Sequence, residues 1–282
     1  MYQVRLPFPP PSPPVPPRAR IVRLLAAATA LAALADGSQL QADEWKSGIQ
    51  WPRPPVVTPA AQPGGPPSDA IVLFDGQDLA AWEGGERWKI ADGYATAHGG
   101  DIRTHEAFGD CQLHLEFAAP AEVKGQGQNR GNSGVYLMGR YEVQLLDSFE
   151  NNTYFDGQCG AIYKQQPPMV NVCLPPGQWQ TLEILFTAPR FAQDGQLVSP
   201  ASVSVLHNGV ALHHHVQLQG ATAWHKPPTY EPHPDRLPLT LQFHGNPVRF
   251  RNIWIRPLAP LVGQPPTPAE PAPAVPTSDS PP

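Results

Sequence analysis

Between residues 71 and 258, apolar side chains recur at every second position, and that period constrains the fold more than any other feature of the chain. In CQLHLEF (111–117), Cys111, Leu113, Leu115 and Phe117 share one face, while Gln112, His114 and Glu116 share the other. RYEVQLL, QTLEILFTA (180–188), ASVSVLHNG (201–209), LTLQFHG (239–245) and RFRNIWIRPL (249–258) repeat the pattern. IVLFDG (71–76), WKIADG (88–93) and YATAHGG (94–100) precede them. A period of two is that of a β-strand with one buried face. The runs are short and are separated by Gly, Asn and Pro, with a turn at Asn208-Gly209, and no run has a helical period. This predicts an all-β sandwich or barrel.

The flanks differ in kind. Many of the chain's 38 prolines fall in PFPPPSPPVPP near the start, in residues 52–67, and in GQPPTPAEPAPAVPTSDSPP at the end. Such segments bury too little apolar surface to offset their ordering entropy, so they read as extended, disordered spacers. Arg18, Arg20 and Arg23 precede LLAAATALAALA (24–35), a short apolar run ending in small residues. That order is the pattern of a secretory signal, and the run is too short to span a bilayer comfortably. Cleavage is expected after Ala35, with Ala42 as the alternative. The sequence therefore divides into a signal over 1–35 with an atypical Pro-rich start, a Pro-rich linker over 36–68, a folded domain over 69–258, and a Pro-rich tail over 259–282. The expected location is periplasmic or extracellular. Loss of the signal removes four arginines and leaves 15 basic against 24 acidic residues, a net charge near −9. This argues against nucleic acid as a partner, and against any membrane association beyond the export signal.

Cys111, Cys159 and Cys173 are too few for a disulfide scaffold and lack zinc-type spacing. Cys111 sits at an apolar position of its strand. Cys159 and Cys173 could pair in an oxidising compartment. His213-His214-His215 suggests a metal, but neighbouring strand residues face opposite ways, so three in a row do not converge on one ion.

Glu116, Glu142, Gln144, Gln242 and His244 all point away from the apolar faces of their runs. Were those strands neighbours on a curved sheet, they would form one polar trough. The sequence leaves the strand order open.

Several stretches in order resemble a known family: LFDGQDLAAWEGG, GDCQLHLEF, GNSGVYLMGRYEVQLLDS, GAIYKQQPPMVNVCLPPGQWQTLEILFTAPRF, VSVLHNGV and LQFHGNPVRFRNIWIRPL. Together they are similar to the 3-keto-disaccharide hydrolase domain family, over essentially the whole of 71–258. The resemblance implies a concanavalin-like jelly-roll β-sandwich and an exported enzyme acting on sugars oxidised to a ketone at C3. It also implies a sugar C3-oxidoreductase as a functional partner.

A C3 ketone acidifies the C2 hydrogen, so a base can start an elimination that expels the C1 aglycone, and water then adds. This route needs a base near C2, donors for the enolate oxygen and an acid for the leaving oxygen. Glu142 is the first candidate for the base and His244 the second. Gln144, about 7 Å along the strand from Glu142, would bind a hydroxyl. Arg140 would hold the carboxylate or polarise the ketone. Asp147 joins this face only through a bulge or turn. Tyr163 and Lys164 belong to a loop that could cap the trough, and Asn132 and Ser133 could reach sugar hydroxyls. Glu116 and Gln242 complete the substrate-binding set, and Trp82, Trp88 and Trp224 are candidate stacking platforms. No cofactor is required; a divalent ion held by Glu142 and His244 is an alternative.

Three other readings compete, the weakest being a structural domain on a proline-rich stalk in the envelope. Concanavalin-like glucanases carry Glu-x-Asp-x-x-Glu on one strand, where this chain has Glu142-Val143-Gln144-Leu145-Leu146-Asp147. A non-catalytic sugar-binding module would use the same sandwich.

Overall fold

A strand whose every second residue is apolar needs a second apolar surface to cover it. The computed structural model of the chain, which describes residues 44–266, shows how this one is covered. The chain divides into two compact units, residues 1–47 and 48–282. Of the first, only 44–47 are described, exposed and without regular structure. The expected signal, both cleavage points and residues 267–282 lie outside the described residues.

The second unit holds two principal antiparallel sheets. The larger runs in the order Val210–Gln217, Ser202–His207, Gln180–Thr187, Cys111–Ala118, Arg249–Pro257, Tyr94–Thr96 and Lys89–Ala91, with Ile71–Phe74 also pairing Arg249–Pro257. The smaller runs Trp82–Glu83, Ile102–Phe108, Leu237–Leu241, Ser133–Leu137 and Tyr141–Leu145. Sequence neighbours are often not sheet neighbours, as expected of a jelly roll. Among the described residues there is no α-helix, only three short 3₁₀ turns, so none is long and apolar enough to cross a membrane.

Register follows from the alternation. Leu113 faces Ile184 and Leu115 faces Leu182 across one strand pair, and Leu113 faces Ile255 across the next. All of these are buried. From the smaller sheet, Val135, Tyr141, Val143, Leu145 and Leu241 meet them in one core cluster. The Tyr141 and Phe186 rings lie 5.8 Å apart. A one-residue slip would turn each strand's apolar set to water, at roughly 1.5–3 kcal/mol per large side chain. Asn208 and Gly209 both have positive φ (51° and 77°) and close the Ser202–His207/Val210–Gln217 hairpin, as the mirror-image turn requires.

Two sequence expectations are corrected by this packing. Trp82 and Trp88 are core residues, not platforms. Each is buried with its indole N–H on a backbone carbonyl, of Leu73 and Gly100 respectively, and Trp88 stacks on Phe250.

Glu116 stands on the larger sheet, apart from Glu142 on the smaller one. It accepts from Arg251 Nε at 2.6 Å and from Asn252 Nδ2 at 2.9 Å. Nearby, buried His114 hydrogen-bonds Glu183 and stacks on Trp254. Gly64 closes this cluster from above, its carbonyl accepting from Trp254 Nε1 and Asn252 Nδ2. The alternation assigned Glu116 a polar face correctly, but each sheet has its own polar face.

Candidate active site

The site is built on the last two strands at one edge of the smaller sheet. Ser133–Leu137 and Tyr141–Leu145 pair so that Tyr136 stands opposite Glu142 and Gly134 opposite Gln144. Thr240 pairs with Tyr136, and the Gln242 amide donates to the Gly134 carbonyl at 3.0 Å. The face turned away from the core thus carries Tyr136, Glu142, Gln144 and Gln242, with bare backbone at Gly134. An ideal Cβ at Gly134 would lie 2.5 Å from Glu142 Oε1. The backbone of Gly134 is not in the left-handed region, so glycine is needed here for space rather than for φ.

Tyr141–Leu145 would be an open sheet edge, but loops cover it. Gln144 N donates to the Ala161 carbonyl, Gly160 N to the Gln144 carbonyl, and Tyr163 N to the Glu142 carbonyl. Glu142 N donates to Thr222 Oγ1 at 2.9 Å. These bonds bring Tyr163 and the loop around Trp224 to a cavity of about 500 Å³. Glu142, Gln144, Asn132, Tyr163, Gln242 and His244, named from sequence for this purpose, line that cavity together with Trp224. His244 lies beyond the end of its strand and is exposed, whereas Trp224 is 77% exposed and Glu142 only 3%.

Burial pushes the Glu142 carboxyl up to about 7, with the negative charge of Asp101 adding to it and a hydrogen bond from Tyr136 opposing it. The Tyr136 hydroxyl is pushed well up in turn, first by burial and then by the Glu142 charge. Gln242 Nε2 donates to Tyr136 Oη at 3.2 Å. In the orientation that satisfies both its amide atoms, Gln144 donates to Glu142 Oε1 at 3.2 Å and to the Ser133 carbonyl at 2.7 Å. Glu142 is therefore a fixed carboxyl whose proton is shed near neutrality, the condition a general base needs. Among the described residues lining the cavity, it is the single carboxylate.

Five sequence candidates fall elsewhere. Asp147 is buried against Arg130, whose Nε donates to Oδ2 at 2.6 Å, and it lines a separate cavity. The chain turns after Leu145, so the glucanase-like spacing does not deliver a second acid to the Glu142 side. Arg140 lies in the turn before the strand, 3.7 Å from Glu231. Lys164 places its ammonium 3.3 Å from the Tyr154 ring centre, and Tyr154 Oη meets Tyr163 Oη at 2.7 Å, so Lys164 orders the Tyr163 pair from behind. Glu116 lies on the other sheet. Ser133 is spent on the Gln242 carbonyl at 2.6 Å. The three histidines do not converge: His213 is buried on the Gly160 carbonyl, and His214 and His215 are both exposed, the strand departing from strict alternation at His215, whose φ is 49°. No group of three ligating side chains forms around Glu142 and His244 among the described residues.

Sequence reasoning missed Tyr136, although its outward position in SGVYL was legible. It also missed Thr222, His225 and Lys226, which lie in a loop without periodicity.

A model of the 3-keto-alpha-glucoside-1,2-lyase-like domain matches residues 69–256. The chain belongs to that family. The 3-keto-alpha-glucoside-1,2-lyase-like domain contains both principal sheets, apart from Pro257 at the end of Arg249–Pro257, and every residue of the cavity. A crystal structure of a candidate glycosyl hydrolase from Parabacteroides distasonis ATCC 8503 is 44% identical. The match covers 77% of this chain and 95% of that one, with a TM-score of 0.71. A second candidate glycosyl hydrolase from the same organism, 21% identical with a TM-score of 0.50 over 70% of this chain and 95% of that one, shares the fold. Comparison with curated proteins gave no match.

Proposed function

We propose that this chain cleaves glycosides whose sugar carries a ketone at C3, with Glu142 as the base that removes the C2 proton. One observation carries the reading: a sugar-sized cavity holds a single buried carboxylate whose pKa is raised to about 7. Ordinary glycosidases need two carboxylates flanking the scissile bond. An elimination needs one base, and the ketone supplies the acidity. Family membership and the 44% identical candidate glycosyl hydrolase support action on a glycosidic bond.

Glu142 takes the C2 proton, and the C2–H electron pair forms the enolate with C3. Collapse of the enolate restores the ketone, forms the C1–C2 double bond and breaks the C1–O bond. The aglycone leaves with a proton from the medium or from His244 at the mouth. Water then adds at C1, giving up a proton to the medium or to His244, and Glu142, its proton having exchanged with solvent, protonates C2. The amides of Asn132 and Gln242 are donors for the developing enolate oxygen, the interaction that contributes most in such sites. Tyr136 and Gln144 hold the carboxylate in place. Trp224 offers its face to sugar or aglycone.

The ketone must be made by an oxidoreductase acting on sugar C3, which is the partner this reading requires. The arginine-flanked apolar run at the start supports an exported enzyme.

The reading is tested with a chromogenic glucoside and its 3-keto derivative. Aglycone release is expected from the ketone alone. Turnover of unoxidised glucans in its place would favour a glucanase, and binding without turnover a sugar-binding module.

Tyr136→Phe removes a hydrogen bond that stabilises the charged form of Glu142. The acid limb of kcat/KM is therefore expected to move up from about 7. A shift of about one unit would lower activity about fivefold at pH 7 and about tenfold well below it. A pH–rate profile with an unmoved midpoint would contradict the contact. Trp224→Ala should raise KM about tenfold with kcat little changed, read from saturation curves, because an exposed stacking face supports binding more than chemistry.

A further inference from the structure

Three side chains that the active site does not use lie together inside the sandwich. Cys159, Cys173 and His207 each present one ligand atom, and these atoms all lie within 4.8 Å of one another. They come from distant parts of the chain: the loop after Phe155–Gly157, the stretch before Gln180–Thr187, and the end of Ser202–His207. Cys159 and His207 are buried and Cys173 is half-buried. Both cysteines are free thiols, hydrogen-bonded to each other. The His207 ring is held by Gln180, whose Oε1 lies 3.0 Å from Nε2 and also accepts from the Leu174 amide. Burial keeps the imidazole neutral, its ligand form.

We propose that Cys159, Cys173 and His207 form a buried site for a thiophilic metal ion, zinc(II) in the first instance. In a tetrahedral zinc shell, bonds of about 2.3 Å to sulfur and about 2.0 Å to nitrogen put the ligand atoms within about 4 Å of one another. The observed grouping is one small contraction from that. Two sulfurs and an imidazole are the donors that favour zinc over calcium or magnesium. Loading releases both thiol protons to solvent, and the two thiolates then balance the dication, so no net charge is left buried. A fourth position remains for water or for the Leu146 carbonyl, whose oxygen lies 3.9 Å from Cys173 Sγ.

The site is structural, because its ligands do not line the Glu142 cavity. Its consequence for that cavity is indirect. Gly160 and Ala161, next to Cys159, make the backbone bonds that cover the Gln144 edge. A metal at Cys159 would pin that segment to the strand that ends at His207.

The test uses the full chain, purified under reducing conditions without chelator. Elemental analysis should find about one zinc per chain. Exchange with cobalt(II) should give the thiolate-to-cobalt charge-transfer band and the strong visible bands of tetrahedral cobalt. Cys173→Ser, at the half-buried position, should weaken metal binding at least tenfold, and chelation should lower the Tm of the parent protein. The cobalt spectrum of the parent needs no variant, so a misfolded mutant does not rescue the idea. Recovery of Cys159 and Cys173 as a disulfide, or as free thiols that give no cobalt charge-transfer band, overturns it.

Discussion

Glu142→Gln is expected to lower aglycone release from a 3-keto glucoside by about a thousandfold, within the span that one general base contributes. The loss should fall on kcat, since the amide keeps the shape and hydrogen bonds of the pocket. The same substitution should make the protein more stable above neutral pH. Burial raises the folded-state pKa of Glu142 from 4.5 to about 7. Between those values the folded chain binds the proton more tightly than the unfolded one. This contribution is fully present below about 4.5 and is lost as pH rises through about 7. The full shift is worth roughly 3 kcal/mol, from about 1.4 kcal/mol per pH unit. Glutamine has no charge to desolvate, so urea unfolding should find a gap between variant and parent that widens from pH 5 to pH 8. His207 is shifted the opposite way by burial, but it is common to both proteins and cancels. A variant that is inactive yet no more stable at pH 8 would mean that the carboxylate is better solvated than its surroundings indicate.

Gly134→Ala carries the second large effect. The added methyl would overlap Glu142 Oε1 at 2.5 Å and approach Tyr136 Cε2 at 3.0 Å. The end of the Glu142 side chain can move, whereas the strand cannot shift without breaking its pairing on both sides. The fold should therefore survive with little change in Tm while the base is displaced. A displacement of about 1 Å costs on the order of a hundredfold in rate. Steady-state kinetics and a melting curve on one preparation separate the two effects. Parent-like kcat/KM in the folded variant would show that Glu142 does not work from this position.

The sandwich was legible because its signal is local. In strands with a clear alternation, such as Cys111–Ala118 and Gln180–Thr187, the alternate apolar residues Leu113, Leu115, Phe117, Leu182, Ile184 and Phe186 lie in the core. The side of a strand on which Glu142 and Gln144 stand was legible for the same reason. Which strands are neighbours was not, because pairing in a jelly roll is set by long-range contacts that leave no period in the sequence. That is why Glu116 was grouped with Glu142, although it belongs to the other sheet. Asp147 was misplaced because the strand ends at Leu145 and alternation stops with it. Trp82 and Trp88 look like Trp224 in sequence, and only packing distinguishes two core indoles from one exposed face. The Cys159–Cys173–His207 cluster has no motif spacing, since the fold and not the sequence brings the three together.

The most direct test of the central claim is exchange at one carbon. A 3-keto glucoside incubated with the protein in deuterium oxide should return product, and residual substrate where elimination is reversible, carrying deuterium at C2. Label and aglycone should both be lost in Glu142→Gln. Aglycone release without deuterium at C2, or full exchange by the glutamine variant, would contradict the assignment of Glu142 as the base.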